Sequence, residues 1–359
     1  MPRRLLIALS GHGFGHLGQL APVVRALRAE RPAVEIVVRS SLPEAKLRQR
    51  LGEGIVVQAA EVDFGTVQRD ALTIDLEATA RRYDDFHACW DELLYRESVA
   101  IERADPALVL SDIPYLTLAA CQRLDVPALA LCSLNWAEIY RHYFADRPGA
   151  TAILDQMLAA YNGACCFLRP QPAMDMPSIR NAVDIGPVAQ IGADVRPALR
   201  RQLGLADSER LVLVSLGGFD LKAPCERWPR FDGLRLLVPS SWNSRHPDTL
   251  DIESLQRPFP DLIRACDAIV SKPGYGSFVE AACSATPVLY LPRPDWPEAP
   301  VLVDWLQRKG NCLEIDAEGF ARGALQAPLG LLLAQERKPP VAPSGVGDAV
   351  QRIVELLDH

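Results

Sequence analysis

The sequence predicts an α/β protein of two doubly wound domains, each a parallel sheet with helices on both faces. Short apolar runs alternate with amphipathic helical stretches along the 359 residues, and this alternation is typical of parallel sheets that are buried on both faces. The pattern breaks at residues 186–196, which mix Gly, Pro and Arg, and then begins again. We therefore predict an amino-terminal domain over residues 1–188, a carboxy-terminal domain over 189–345 and a terminal helix over 346–359.

Ten apolar runs predict the strands of these two domains. In the first half they are LLIALS, EIVVRS, IVVQAA, ALVLSD, PALALCS and CCFLRP; in the second they are RLVLVSLGG, LRLLVPSS, AIVSK and PVLYLP. In the terminal segment, Val350, Ile353, Val354 and Leu357 recur with a helical period, which predicts an amphipathic helix.

Composition excludes several classes of function. A net charge of −7 without any block of Lys or Arg argues against nucleic acid as the main partner. Nine cysteines without a C-x-x-C pair indicate reduced thiols that serve as small core residues, and hence a cytoplasmic protein. No apolar run approaches the roughly 20 residues of a membrane span, so we expect no transmembrane segment.

The loop GHGFGH follows the first strand, at the sheet edge where open parallel sheets bind ligands. Gly13, Gly15 and Gly18 match the spacing G-x-G-x-x-G, but the second strand does not end in the acidic residue that a dinucleotide site requires. A glycine-rich turn with two solvated histidines is the alternative to a ligand site.

The stretch SKPGYGSFVEA, residues 271–281, places glycines and a serine at the start of a helix, where backbone N–H groups and the helix dipole favour a phosphate. Lys272 would neutralise that phosphate, and Glu280 is placed to accept hydrogen bonds from ribose hydroxyls. The alternative is a strand-to-helix turn with a solvated lysine and a surface glutamate.

This stretch resembles the donor-binding segment of GT-B glycosyltransferases. Lys272, Gly274, Ser277 and Glu280 fall at the spacing of the plant-type segment HCGWNSxxE, with lysine in place of the phosphate-binding histidine. The upstream RPFPDLIRACDAIVSK is similar to the segment before the donor site in the N-acetylglucosaminyltransferase of peptidoglycan synthesis. In that family the position of Phe259 faces the base, and a second phosphate-side loop resembles Gly217-Gly218.

The first-strand loop also resembles an acceptor loop of that family, with His16 at the histidine position. The GHGFGH motif, an S-D before a helix and a Gly-Tyr-Gly turn followed by Glu298-Ala299-Pro300 resemble the glycosyltransferase-like amino-terminal part of plant arabinokinases. These resemblances imply a GT-B fold, in which two Rossmann-like domains face each other across a cleft and the last helix packs back on the first domain.

The implied activity is transfer of a sugar from a nucleotide-sugar donor, a UDP-sugar in the first place, to a small intracellular acceptor. His16 would be the general base that deprotonates the acceptor hydroxyl, and Asp112 would orient it, so that direct displacement inverts the anomeric configuration. For Asp112, a helix N-cap before IPYLTLAAC is the structural alternative. No D-x-D triplet or His/Cys ligand cluster appears, so we expect no required metal or other cofactor.

Two further sets of residues complete the predicted site. The acceptor-side loop comprises Gly11, His12, Gly13, Phe14 and Gly15. The donor side comprises residues from four segments of the second half, which are Gly217, Gly218, Phe259, Lys272, Gly274, Tyr275, Gly276, Ser277, Glu280, Asp295 and Glu298. Asp295 and Glu298 are approximate substitutes for the aspartate-glutamine pair of plant glucosyltransferases, which is absent. Trp242 either stacks on a base or packs in the core.

Two other functions stay open at this point. A nucleotide-sugar epimerase of the same fold needs a further acid/base group, and a non-catalytic nucleotide-sugar sensor is favoured by the missing aspartate-glutamine pair. The sequence does not indicate the acceptor, the sugar or the oligomeric state.

Overall fold

A computed structural model describes residues 3–70, 72–217 and 223–358, which divide into two compact units. Unit 1 takes in the described residues of the ranges 1–69, 73–188 and 344–359, and unit 2 takes in those of 70–72 and 189–343. Apart from the short stretch 70–72, the chain therefore leaves unit 1 once, after Val188, and returns to it at Ser344.

The described residues of unit 1 form a seven-stranded parallel sheet of order β3-β2-β1-β4-β5-β6-β7. Its strands are β1 (Arg4–Leu9), β2 (Glu35–Ser40), β3 (Val56–Ala59), β4 (Leu108–Asp112), β5 (Ala128–Leu131), β6 (Cys166–Pro170) and β7 (Ala182–Ile185). The helices between them are α1 (Phe14–Glu30), α2 (Glu44–Leu51), α3 (Leu76–Ala88), α4 (Trp90–Ala104), α5 (Tyr115–Leu124), α6 (Trp136–Phe144) and α7 (Ala150–Asn162).

The described residues of unit 2 form a six-stranded parallel sheet of order β10-β9-β8-β11-β12-β13. Its strands are β8 (Arg210–Val214), β9 (Leu234–Val238), β10 (Thr249–Asp251), β11 (Ala268–Ser271), β12 (Val288–Tyr290) and β13 (Cys312–Glu314). Its helices are α8 (Arg196–Leu203), α9 (Phe259–Ala265), α10 (Tyr275–Cys283), α11 (Ala299–Lys309), α12 (Ala317–Ala321) and α13 (Gln326–Leu333), with short 3-10 helices at Cys225–Arg227, Ser240–Trp242 and Glu253–Leu255.

The predicted α/β class with parallel sheets is confirmed. The positions of the strands in the sheets explain why apolar runs in the sequence predicted most of them. The central strands β1, β4 and β5 are buried along nearly their whole length, since helices cover both faces of the sheet. Each of the ten apolar runs predicted as a strand overlaps a strand of the structure. Three short strands at or beside sheet edges, β7, β10 and β13, have no apolar run because most of their residues are partly or fully exposed.

The last helix, α14 (Gly345–Asp358), belongs to unit 1, where it packs against α1. It buries Ala349, Val350, Ile353 and Leu357. Gly345 N–H donates to Pro187 O at 3.1 Å, and Gly186 N–H donates to the Asp348 carboxylate at 3.1 Å. The helix is thus fixed beside the point at which the chain leaves unit 1.

None of the nine cysteines, all of which lie in described residues, forms a disulfide, and six of them are buried. Across the stretches 3–70, 72–217 and 223–358, no helix combines the length and the apolar character that a membrane span requires.

Candidate functional site

The candidate site of unit 1 begins where β1 ends and α1 starts. Gly13 has φ 79°, a left-handed conformation that side chains disfavour, and it caps α1 from that position. The glycine turn thereby starts α1 at Phe14 and places His16 in the first helical turn, where the residue is 7% exposed.

His16 and Asp112 lie 96 positions apart in the sequence and are joined by a hydrogen bond. The His16 Nδ1 and Asp112 Oδ1 atoms are 2.8 Å apart. Asp112 is the last residue of β4, which pairs with β1 in parallel, so both residues lie at the carboxyl edge of adjacent strands. A carboxylate at Nδ1 fixes the ring orientation and favours the tautomer with the proton on Nδ1.

Asp112 is fully buried, and the helix that follows it has another N-cap. Helix α5 is capped at Pro114, so the N-cap alternative for Asp112 is wrong. Burial raises the pKa of the Asp112 carboxyl, while the charge and hydrogen bond of His16 and the thiol of Cys132 oppose that shift. Its second oxygen, Oδ2, is buried and has no hydrogen-bond partner among the described residues.

A second buried carboxylate, Asp63, lies close enough to His16 to interact with its charge. Asp63 accepts hydrogen bonds from Trp136 Nε1 at 2.7 Å, from Ser10 Oγ at 2.9 Å and from the Gly11 backbone N–H. Burial raises its pKa, and these three donors and His16 act in the opposite direction. Two buried carboxylates thus flank one imidazole.

The other loop residues have different environments. The His12 ring meets the edge of Trp136 at a centroid distance of 5.2 Å, and its Nε2 lies 3.3 Å from Thr66 Oγ1. Gly11 lies against the Ser41 side chain. Gly15 is exposed, and Phe14 is 40% exposed.

Cys132, which directly follows β5, completes a buried group around His16. Its Sγ lies 3.7 Å from His16 Nδ1, and its thiol hydrogen-bonds the Asp112 carboxylate. One ligand atom from each of His16, Asp112 and Cys132 lies within 4.8 Å of the others. The sequence revealed no His/Cys cluster because these residues lie at or beyond the carboxyl ends of three different strands, far apart in the chain.

The candidate site of unit 2 is formed around Lys272, which directly follows β11 and is buried. Gly217, after β8, lies beside it: a Cβ at Gly217 would be 3.3 Å from Lys272 Cε. Strands β8 and β11 pair in parallel, which brings these two residues to one sheet edge. Gly218, the other residue predicted in that loop, lies outside the described residues.

Lys272 has a second buried cation as a neighbour. Burial lowers the pKa of Lys272 to about 7, the charge of Arg293 adds to that shift, and Asp70 opposes it. The Arg293 guanidinium lies over the Trp296 ring at 4.4 Å from its centroid, and Trp296 Nε1 donates to Glu298 at 3.2 Å. The two cations in the buried part of unit 2 are typical of a site for an anion.

The predicted turn between Lys272 and α10 starts that helix as expected. Gly274 is its N-cap, without a side-chain cap hydrogen bond, and Tyr275, Gly276 and Ser277 form the first turn. Glu280, in the second turn, is 3% exposed, so it is not the surface glutamate of the alternative interpretation.

The remaining predicted donor-side residues are less uniform in their burial. Phe259 is half-buried and is the first residue of α9, Glu298 is buried, and Asp295 is exposed. Trp242 packs in the hydrophobic core of unit 2 with Val238 and Leu236, which favours packing over base stacking.

Two residues of these sites had no clear signal in the sequence. Asp63 lies in the irregular stretch after β3, and only its apolar neighbours Val62 and Phe64 hint at burial. Arg293 lies in PRPDWP, three residues before Trp296. That spacing could have suggested that the arginine stacks on the tryptophan ring.

No protein family model matches the chain. It is 26% identical over 306 residues to the L-arabinokinase of Arabidopsis thaliana, an alignment that covers 83% of this chain and 29% of that protein. It is 25% identical over 265 residues to an uncharacterized glycosyltransferase of Methanopyrus kandleri, covering 68% of this chain and 74% of that protein. The chain therefore spans less than a third of the arabinokinase.

Solved structures show the same fold. The glycotransferase of kitacinnamycin matches with a TM-score of 0.62 at 16% identity. The match covers 99% of this chain and 95% of the glycotransferase chain. The glycosyltransferase VinC in complex with dTDP has a TM-score of 0.53 at 16% identity, with coverage of 99% and 95%.

These comparisons confirm the GT-B fold and the resemblance to arabinokinase and to glycosyltransferases. The Methanopyrus relative and the solved structures carry the names of glycosyltransferases, and the arabinokinase is also named as an enzyme, which supports an enzyme. The resemblance to the peptidoglycan N-acetylglucosaminyltransferase stays a prediction.

Proposed function

We propose that this chain is an inverting glycosyltransferase, which moves a sugar from a nucleotide-sugar donor to a hydroxyl group of a small acceptor. The observation that carries the proposal is the buried hydrogen bond of 2.8 Å between His16 Nδ1 and Asp112 Oδ1. A histidine held in this way by a carboxylate is suited to take a proton from a hydroxyl group.

In the proposed reaction, His16 acts through its other ring nitrogen. With the proton held on Nδ1 by Asp112, the neutral ring has its lone pair on Nε2, which accepts the proton of the acceptor hydroxyl. The hydroxyl oxygen forms a bond to the anomeric carbon as the bond to the nucleoside diphosphate breaks, and the diphosphate leaves with the bonding electrons. A single displacement inverts the anomeric configuration.

Two buried carboxylates favour the imidazolium that this step produces. Asp112 bonds the ring directly, and Asp63 interacts with its charge from within a network of three donors. The negative charge of both groups stabilises the positive charge that develops on His16.

The diphosphate of the donor would bind in unit 2. Lys272 and Arg293 supply positive charge, and the backbone N–H groups of the first turn of α10 supply hydrogen-bond donors. Glu280 would accept hydrogen bonds from the ribose. A UDP-sugar is the first donor to test. A dTDP-sugar, suggested by the dTDP in the VinC complex, is the second.

The test is to measure nucleotide release from a panel of UDP- and dTDP-sugars, with and without hydroxyl-bearing acceptors. We expect release that depends on the acceptor and a product of inverted anomeric configuration, assigned by NMR. Nucleotide binding without release in the presence of any acceptor would indicate a sensor. Release of an altered nucleotide sugar without an acceptor would indicate an epimerase, and either result contradicts the proposal.

A further inference from the structure

His16, Asp112 and Cys132 come together from three separate segments, and each offers an atom that binds transition metals. The three residues are 7%, 0% and 2% exposed, so the group is shielded on most sides. Imidazole nitrogen, thiolate and carboxylate are the ligands that Zn²⁺ takes in proteins.

The nitrogen-to-sulfur distance fits a tetrahedral ion. Bonds of about 2.1 Å to nitrogen and about 2.3 Å to sulfur, at a tetrahedral angle, separate the two ligand atoms by about 3.6 Å. The observed distance between His16 Nδ1 and Cys132 Sγ is 3.7 Å. The 2.8 Å between His16 Nδ1 and Asp112 Oδ1 is a hydrogen-bond distance, shorter than the roughly 3.3 Å between a nitrogen and an oxygen ligand of Zn²⁺, so the carboxylate must bind through Oδ2 or turn when the ion enters. Asp112 has a second buried oxygen, Oδ2, without a hydrogen-bond partner among the described residues, so this atom is available as the oxygen ligand.

We propose that His16 Nδ1, Cys132 Sγ and the Asp112 carboxylate form a three-ligand site for a thiophilic divalent cation, Zn²⁺ in the first place, and that its occupation inhibits the enzyme. The site itself rests on the geometry of unit 1 alone. The inhibition rests on the proposed function, because it requires His16 to be the base.

Inhibition follows from the proton balance of metal binding. The cation bonds to Nδ1, which must lose its proton, and the neutral ring then carries a proton on Nε2. The Cys132 thiol releases its proton to solvent on becoming a thiolate, so that one proton is released in total. The lone pair on Nε2 that accepts the hydroxyl proton in the proposed reaction is then no longer available.

The site is tested by titrating the full chain with Co²⁺ as a spectroscopic probe for Zn²⁺. Cys89→Ser and Cys165→Ser, introduced together, first remove the two exposed thiols as competing ligands. In that background we expect a thiolate-to-cobalt charge-transfer band that saturates at one ion per chain and is displaced by Zn²⁺. Cys132→Ser should abolish the band, and Cys121→Ser, a change at another buried cysteine, should leave it.

A band that persists in Cys132→Ser, or no band in the parent, overturns the site. Cys132→Ala, checked by circular dichroism, replaces the serine variant if that variant does not fold. This readout does not require the enzyme to be a transferase, so the site and the proposed function are judged separately.

Inhibition is tested by measuring the Zn²⁺ concentration that lowers the rate of sugar transfer by half, in the parent and in Cys132→Ser. Loss of the sulfur ligand should raise this concentration by at least about tenfold in Cys132→Ser, and a chelator should restore the parent's activity. Zn²⁺ that binds at the Co²⁺ site without lowering transfer contradicts the inhibitory role.

Discussion

The two candidate sites carry buried charge of opposite sign. In unit 1, the carboxylates of Asp112 and Asp63 lie around His16, whereas in unit 2 the cations Lys272 and Arg293 lie together. Both sites lie at the carboxyl edge of a parallel sheet, beside the first turn of a helix. The shared architecture therefore provides the position, and the residue types decide the chemistry: carboxylates around an imidazole favour proton uptake, and paired cations favour a phosphate.

The largest expected effect tests the site of unit 1, where carboxylates surround His16. General-base catalysis contributes about a hundred- to ten-thousand-fold, so His16→Ala should lower turnover by that factor and leave nucleotide affinity nearly unchanged. Transfer kinetics and calorimetry of the same preparation measure the two effects. Wild-type turnover in His16→Ala would falsify the base assignment.

Two control variants accompany this measurement. His142→Ala removes an exposed imidazole of the same unit and should leave turnover at the wild-type level. Asp112→Asn should lower turnover less than His16→Ala, since the amide oxygen still accepts a hydrogen bond from Nδ1.

The second-largest expected effect tests the cationic site of unit 2. Loss of one charge-assisted contact costs about 1.5 to 3 kcal/mol, so Lys272→Met should weaken binding of a nucleoside diphosphate by about one to two decades. Inorganic pyrophosphate should be affected as well, because the lysine is expected to bind phosphate. Calorimetry checks both ligands, and Lys309→Met at an exposed position is the matched control. Unchanged affinity for both ligands removes Lys272 from the site.

Glu280→Ala separates the ribose from the phosphates. It should weaken nucleotide binding by about one to two decades, but it should leave pyrophosphate binding unaffected because pyrophosphate has no ribose. Calorimetry with the same two ligands measures the difference. Equal losses for both ligands indicate that Glu280 acts through the fold of the site, and no loss for any nucleotide excludes it from binding.

The smallest expected effect is the pH dependence of nucleotide binding. Burial lowers the pKa of Lys272 to about 7, and a bound phosphate favours the charged ammonium, so the pKa rises in the complex. Affinity should be highest below pH 7 and fall by up to about tenfold per pH unit above it. Calorimetry in buffers of different ionisation enthalpy should detect proton uptake on binding at pH 8. This uptake should be absent in Lys272→Met, and its persistence there would assign it to another group.

The sequence predicted the parallel sheets because their central strands are buried on both faces and therefore apolar throughout. It missed β7, β10 and β13, since partly exposed strands at or beside a sheet edge need no apolar run. Resemblance to known motifs indicated His16, Asp112, Lys272 and Glu280.

Asp63 and Arg293 could not be found in this way, because their importance depends on contacts between separate segments. Asp63 accepts hydrogen bonds from Ser10 and Trp136, which are 53 and 73 positions away in the sequence. Arg293 stacks on the nearby Trp296, but its relation to Lys272 exists only once β11 and β12 pair.

The return of the chain to unit 1 at Ser344 has a consequence for synthesis on the ribosome. Helix α14, which packs against α1, is translated only after all of residues 189–343. Unit 2 can therefore complete its fold before unit 1 has received its last helix. The hydrogen bond from Gly345 N–H to Pro187 O also places the exit and return of the chain side by side, so unit 2 has the connectivity of an inserted domain.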